Sequence, residues 1–251
     1  MSCFNNKYRW MIMAVIVTSL IFSTQVFADN SWLDKGSELL ESFGTKSTTG
    51  ELTVEEIGAG LKEALKVGSK NVVKQLGAED GFNKDSKIHI PLPQSLDSVK
   101  SMLDKVGMSY LFEDLELKLN RAAEDATPKA QKLFLDAISD MSFENVKQIY
   151  NGPDDAATQY FKEKMTPELA LEMKPVIETS LSQVGAVKSY DNMMKNYKSI
   201  PFVPDVKANL TDHVIEKGMD GIFYYMAKEE AAIRQDPVKR TTELLQKVFT
   251  K

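Results

Sequence analysis

One stretch near the C-terminus, residues 220–237, constrains the fold more than any other part of the sequence. Its apolar residues recur at the spacing of an α-helix, about 100° per residue, so they fall on one face. That face is formed by Met219, Ile222, Phe223, Met226 and Ile233. Glu230 falls near the middle of the same face. The pattern therefore predicts a helix that packs against other helices and carries a carboxylate into the core.

Glu230 allows three interpretations, and a structural ion pair is the favoured one. Arg234 follows it by four residues, the acid-first order in which an ion pair on a helix is stabilising. Arg240 lies one turn into the predicted last helix and is expected to be a second cation near Glu230. The two alternatives are a polar anchor in a ligand pocket and a catalytic acid or base. Glu229 points about 100° away on the same helix, so the neighbouring acids do not form a pair that shares a proton.

A second pair of acids, Asp154 and Asp155, follows Asn151-Gly152-Pro153 at the predicted start of a helix. The helix dipole and the free backbone amides favour negative charge at such a position. Capping of the helix explains the pair without a ligand. Binding of a ligand or a cation by the two carboxylates is the alternative.

Helix signals follow one another along the chain after residue 50, without an alternation of strands and helices. Thr53 and Glu56 have the spacing of a capping box, which predicts a helix start. Small residues recur every four positions along that helix, at Gly60, Ala64 and Gly68. Such a stripe indicates close packing against a neighbouring helix.

Three further helix starts are predicted where a capping side chain comes directly before a proline. These pairs are Thr127-Pro128, Thr166-Pro167 and Asp236-Pro237. Residues 88–93 and residues 200–204 each contain two prolines and predict extended connectors. We therefore predict an all-α fold, a single compact domain of roughly nine or ten short helices joined by these two connectors and others.

The first 28 residues have the features of a secretory signal peptide. Lys7 and Arg9 precede an uncharged apolar segment at residues 10–22, and Val26-Phe27-Ala28 is a small-residue cleavage pattern. Cleavage after Ala28 is expected, with an uncleaved anchor as the alternative. Residues 29–50 are then predicted to be a short helix and a linker, and residues 51–251 the helical domain. No stable membrane anchor is expected after cleavage.

Charge and motifs exclude several classes of function. The chain has a formal net charge of −5, and removal of the positive Lys7 and Arg9 leaves −7, which argues against nucleic-acid binding. The start of a dinucleotide motif at Gly58 and Gly60 lacks its third glycine and lies in a predicted helix. His89 and His213 are the only histidines, too few for a metal site of the usual kind. We expect no metal and no cofactor.

Three phrases of the sequence resemble a known family. They are NGPDDAATQYF at residues 151–161, IPFVP at residues 200–204 and DGIFYYMAKEEAAIRQDPVKRTT at residues 220–242. They resemble an exported bacterial family of helical proteins that is described only as a domain of unknown function. The resemblance implies a periplasmic location and a single all-helical domain. It implies no activity, cofactor or site residues.

The function expected from these features is that of a non-catalytic periplasmic protein that binds a ligand or a partner. An apolar or amphipathic small molecule fits a chain with twelve methionines and a carboxylate on an apolar helix face. An envelope protein is the other expected partner. The alternative is a cell-envelope hydrolase or transferase that uses the carboxylates of Glu230 or of Asp154 and Asp155.

Overall fold

The computed structural model describes residues 52–250. The predicted signal peptide and the predicted segment 29–50 lie outside these residues. The part of the chain that is described contains eight α-helices and no strand, which confirms the all-α fold. The helices are α1 (Val54–Leu76), α2 (Asp97–Lys105), α3 (Ser109–Asp140), α4 (Val146–Tyr150), α5 (Ala156–Gln183), α6 (Ala186–Lys198), α7 (Leu210–Gln235) and α8 (Glu243–Phe249). Short 3₁₀ turns occur at Gln94–Leu96 and Pro237–Lys239.

The core lies between the four long helices. Helix α3 packs against α1 and α5, and α7 packs against the same two helices and against α3. Three buried rings meet at the centre, Phe134 of α3, Phe161 of α5 and Phe223 of α7, with centroids 5.8 to 6.3 Å apart. The apolar face predicted around Phe223 therefore points into this bundle.

The start of α1 and its stripe of small residues are as predicted. The hydroxyl of Thr53 accepts a bond from the Glu56 amide, and the Glu56 carboxylate accepts one from the Thr53 amide. A Cβ atom at Gly60 would lie 2.6 Å from Cγ2 of Val248 in α8, and one at Gly68 would lie 3.3 Å from Cβ of Glu229 in α7. The small residues therefore allow α1 to approach both helices closely.

Two of the predicted helix starts are wrong. Pro128 lies inside α3 and Pro167 inside α5, so there are fewer and longer helices than predicted. The threonine before each proline bonds back to its own helix instead of capping a new one, with Thr127 Oγ1 donating to the Ala123 carbonyl and Thr166 Oγ1 to the Lys162 carbonyl. The third start is confirmed, because Asp236 accepts a bond from the Val238 amide, although it opens a 3₁₀ turn.

The connector at residues 88–93 crosses the bundle as a strap. It buries Ile88, Ile90 and Leu92. The buried side-chain amide of Asn120 accepts from the Ile90 amide at 2.9 Å and donates to the Ile90 carbonyl at 2.8 Å, which replaces the partners that a strand would supply. The connector at residues 200–204 is not extended throughout, since it turns at Phe202, where φ is 64°.

None of the helices within residues 52–250 combines the length and the apolar character that crossing a membrane requires.

Candidate functional site

Glu230 lies at the junction of three helices and is almost fully enclosed, with 1% of its surface exposed. Its oxygens accept from the backbone amides of Ala157 at 3.0 Å and Thr158 at 2.7 Å, and from the Thr158 hydroxyl at 2.7 Å. They also accept from Nε and Nη2 of Arg234, at 3.0 and 2.8 Å. The carboxylate therefore has five donors around it.

Two of those donors are free amides at the N-terminus of α5. Asp155 occupies the capping position there, but its side chain makes no capping bond and accepts instead from Gln159 Nε2 at 3.1 Å. Glu230 of α7 takes over the role, where a negative charge also interacts favourably with the helix dipole. The carboxylate thus caps α5 from a different helix.

Arg234 extends the same contact to α4. Its Nη1 donates to the Tyr150 carbonyl at 2.8 Å and its Nη2 to the Ile149 carbonyl at 3.3 Å. The guanidinium also lies 5.5 Å from the centroid of the Phe249 ring. One ion pair on α7 therefore holds the end of α4 and the start of α5 together.

Arg240 is not the second cation at Glu230 that the sequence predicts. Its Nε donates to the Ile233 carbonyl and its Nη2 to the Arg234 carbonyl, both at 3.0 Å. The 3₁₀ turn at Pro237–Lys239 reverses the chain and places Arg240 over the C-terminus of α7. The five bonds around Glu230 also leave its carboxylate no room for another donor.

This geometry favours the structural interpretation of Glu230 over the catalytic one. A general acid or base has to reach the substrate directly or through a single water. Glu230 is enclosed by protein donors and lines neither of the two cavities between α5 and α7 described below. The hydrolase or transferase alternative then rests on Asp154 and Asp155.

Those two acids line a cavity of about 690 Å³, here called the polar cleft. It is bounded by the start of α5, the second half of α7 and the strap. Asp154 accepts a hydrogen bond from Gln235, and Asp155 faces Gln159. The charged residues that line the cleft are Lys87, Asp154, Asp155, Lys162, Lys217, Asp220 and Lys228.

The segment that leads into the strap is bonded to α7 close to the polar cleft. The Tyr225 hydroxyl donates to the Asp85 carboxylate, and this bond, with burial, raises the pKa of Tyr225 to about 12. Asp85 also accepts from the Lys87 amide at 2.8 Å. Beside it, the Lys228 ammonium lies 4.5 Å from the centroid of the Tyr224 ring, a cation–π distance.

A second cavity, here called the apolar groove, continues between the two helices and measures about 380 Å³. Its apolar walls are formed by Pro167, Ala170, Leu171, Ile215, Met219 and Phe223. Leu171 is 75% exposed and so presents apolar surface to water in this groove. The charged residues in its lining are Lys162, Lys174, Asp212, Glu216 and Asp220.

The two cavities meet at one ion pair. Lys162 of α5 and Asp220 of α7 line both of them and contact each other at 2.8 Å. Phe223 lies in both walls, and the Lys162 ammonium is 5.7 Å from its ring centroid. The cleft and the groove are therefore one continuous depression between α5 and α7, charged at one end and apolar at the other.

Sequence reasoning missed most of this depression. It identified Asp154 and Asp155 but not Lys162, Asp220 or Leu171, because these residues come together only when α5 and α7 lie side by side. The one signal in the sequence is Leu171, an apolar residue among the polar positions of α5. Residues 52–250 hold no group of three or more histidine, cysteine or acidic side chains arranged for a metal ion.

Comparison with known proteins identifies the family but no activity. A family model described as "Protein of unknown function (DUF4197)" matches residues 51–250, so the chain belongs to this family. The match confirms the resemblance to a helical family of unknown function. No curated protein and no solved structure gives a match.

Proposed function

We propose that this member of the DUF4197 family is a non-catalytic, exported binding protein that holds an amphipathic small molecule between α5 and α7. The observation that carries the proposal is the continuity of the polar cleft with the apolar groove. Both fall in the range of 300–1,000 Å³ that is usual for small-molecule sites. The signal-peptide pattern supports a periplasmic location, where such a molecule would be met.

The apolar groove suits the hydrocarbon part of the ligand. Leu171 and its neighbours expose apolar surface to water in the unliganded protein, and its burial contributes roughly 25 cal/mol per Å². The groove is open along the protein surface, so an alkyl chain can lie in it without a rearrangement of the core. An alkyl chain therefore has a favourable and accessible position here.

The polar cleft suits a negatively charged head group. Lys87 and Lys228 both line it, and neither forms an ion pair within residues 52–250. Lys162, by contrast, is already paired with Asp220 at the boundary. A head group in the cleft would gain the two unpaired ammonium groups, whereas Asp154 and Asp155 in the same lining would repel an anion that came close to them.

The test measures by calorimetry whether dodecanoate binds to the purified mature protein. The dodecanoate concentration is kept below the value at which micelles form. Saturable one-to-one binding is expected, with much weaker binding of dodecyltrimethylammonium, whose head group is positive. Leu171→Glu should weaken dodecanoate binding by about tenfold or more, because it removes apolar contact and adds a charge beside the chain. The proposal fails if dodecanoate does not bind, or if both head groups bind equally.

The matched control is Leu117→Glu in α3. Leu117 is also an exposed leucine on a long helix, at 39%, but it lies outside the cleft and the groove. The same substitution there should leave the affinity for dodecanoate unchanged. Native mass spectrometry of protein taken from the periplasm gives a second measurement, in which a bound amphiphile is expected for the wild type and not for Leu171→Glu.

A further inference from the structure

A third cavity, of about 440 Å³, lies beside the Glu230 and Arg234 pair and shares one lining residue, Asp154, with the polar cleft. It is enclosed by the end of α4, the turn after α7 and the end of α8. Its walls include Tyr150, Asn151, Arg234, Arg240 and Phe249. Two of the phrases that distinguish this sequence, residues 151–161 and 220–242, meet at this point.

Arg240 is the unexplained group in this cavity. Only 8% of the surface of Arg240 is exposed, although its guanidinium carries a positive charge at every physiological pH. Its firm hydrogen bonds go to the carbonyls of Ile233 and Arg234, and a longer one of 3.4 Å goes from Nη1 to the Thr250 hydroxyl. An arginine side chain has five N–H donors, so some N–H groups of the Arg240 guanidinium remain available to a molecule in the cavity.

The charge of Arg240 is not balanced by a carboxylate of residues 52–250. Glu230 already neutralises Arg234, and no acid in that part of the chain forms an ion pair with Arg240. The carbonyls at the end of α7 supply only a partial negative charge, equivalent to about half an elementary charge. A buried charge without a full partner is costly, so a bound anion would stabilise this arrangement.

We propose that this cavity binds an oxyanion, a carboxylate or phosphate group, through the free donors of Arg240. The planar fork of arginine matches both groups. The rings of Tyr150 and Phe249, 6.0 Å apart between centroids, form an apolar part of the cavity wall. Asp154, whose side chain accepts a hydrogen bond from Gln235, also lines the cavity, and its negative charge disfavours an anion at that wall.

The test compares thermal unfolding of the full mature protein in inorganic phosphate, acetate and chloride at matched ionic strength. A ligand that binds only the folded state raises the melting temperature with its concentration, and the rise follows the ratio of ligand concentration to Kd. Phosphate, acetate or both are expected to raise it saturably above chloride. The more effective of the two identifies the group.

Arg240→Lys keeps the positive charge but loses the fork. This substitution should raise by about tenfold the anion concentration that is needed for a given rise in melting temperature. The neighbouring Lys239→Ala removes an exposed cation and should leave the response unchanged. The proposal would be overturned if chloride raised the melting temperature as much as phosphate and acetate do. It would also be overturned if the Arg240→Lys variant kept the full response to the anions.

A second variant avoids any effect of Arg240→Lys on folding. Asn151→Asp places a negative charge at the exposed edge of the cavity without touching the buried arginines. It should weaken the phosphate or acetate response by about tenfold, while dodecanoate binding between α5 and α7 stays as in the wild type. An unchanged anion response in this variant would count against the site, whatever the outcome for the groove.

Discussion

A single ion pair on α7 connects three helices because its carboxylate replaces a local cap. The side chain of Asp155 leaves the amides at the start of α5 unpaired, and Glu230 supplies the missing acceptor from α7. Arg234 brings the balancing charge and binds the last carbonyls of α4. Loss of either member would leave the other as a buried, unpaired charge, which is far more destabilising than loss of an exposed ion pair.

Replacement of Glu230 by glutamine is therefore expected to destabilise the protein by about 3–5 kcal/mol. Glutamine keeps the size of the side chain but offers only one acceptor oxygen. Its NH2 group would face the donors of Ala157, Thr158 or Arg234 and could not accept hydrogen bonds from them. Urea unfolding followed by circular dichroism measures the change in the free energy of unfolding.

Glu229→Gln is the matched control on the adjacent residue. Glu229 accepts from Asn71 Nδ2 at 2.6 Å near the surface, and glutamine preserves an acceptor there. A change of less than about 1 kcal/mol is expected. If the two substitutions had equal effects, the capping role of Glu230 would be disproved.

The sequence predicts Glu230 and Arg234 as a pair because both lie on one helix at a spacing that helical geometry fixes. It does not predict Ala157 and Thr158, more than seventy residues away, which contribute two backbone amides and the Thr158 hydroxyl. It also misplaces Arg240, since the turn that directs its side chain depends on how the chain reverses after α7. Side-chain chemistry is visible in a sequence, but the position of a backbone donor is not.

Among the elements, α1 shows most directly how small residues set the distance between helices. Gly58 and Gly60 are two residues apart on the same helix, but a Cβ at Gly58 would have its nearest neighbour, Val146, at 3.8 Å. A Cβ at Gly60 would have three atoms of Val248 within 2.8 Å. The two positions differ because Gly60 faces α8 at close range, whereas Gly58 faces Val146 of α4 at an ordinary contact distance.

Alanine at these positions is expected to change stability in opposite directions. Gly60→Ala should destabilise by about 1–3 kcal/mol, because α8 has to move or Val248 has to leave its rotamer. Gly58→Ala should stabilise by about 0.5–1 kcal/mol, since alanine favours the helix and the space is open. Thermal and urea unfolding of both variants give the comparison, and stabilisation by both would show that α1 and α8 are not in close contact.

The errors in element boundaries have one physical cause. Thr127-Pro128 and Thr166-Pro167 have the local chemistry of helix starts, but α3 and α5 run through both prolines. Burial of Ala130 and Phe134 beyond the first proline, and of Leu169 and Met173 beyond the second, favours a continuous helix over a break. Asp236-Pro237 follows the local rule because α7 has already left the core by that point.

At the scale of the whole molecule, the fold class was predictable and the binding depression was not. The all-α class follows from apolar spacing, which every long helix repeats. The cleft and groove depend on α5 and α7 lying antiparallel, which brings Lys162 next to Asp220 and Leu171 close to Ile215. No spacing within either helix encodes that register.

The bond that ties Asp85, three residues before the strap, to α7 makes the stability of the whole molecule vary with pH in the alkaline range. Tyr225 donates to Asp85, 140 residues away, and its pKa is raised to about 12 in the folded protein, against about 10 in an unfolded chain. A raised pKa means that this bond stabilises the fold fully below about pH 10 and is lost as the pH rises through about 12. Tyr225→Phe should therefore be less stable than the wild type at neutral pH, and the difference in the free energy of unfolding should shrink between these two values. Urea midpoints of both proteins across that range measure the difference; a constant difference would mean that the Tyr225 hydroxyl titrates normally and does not hold the strap.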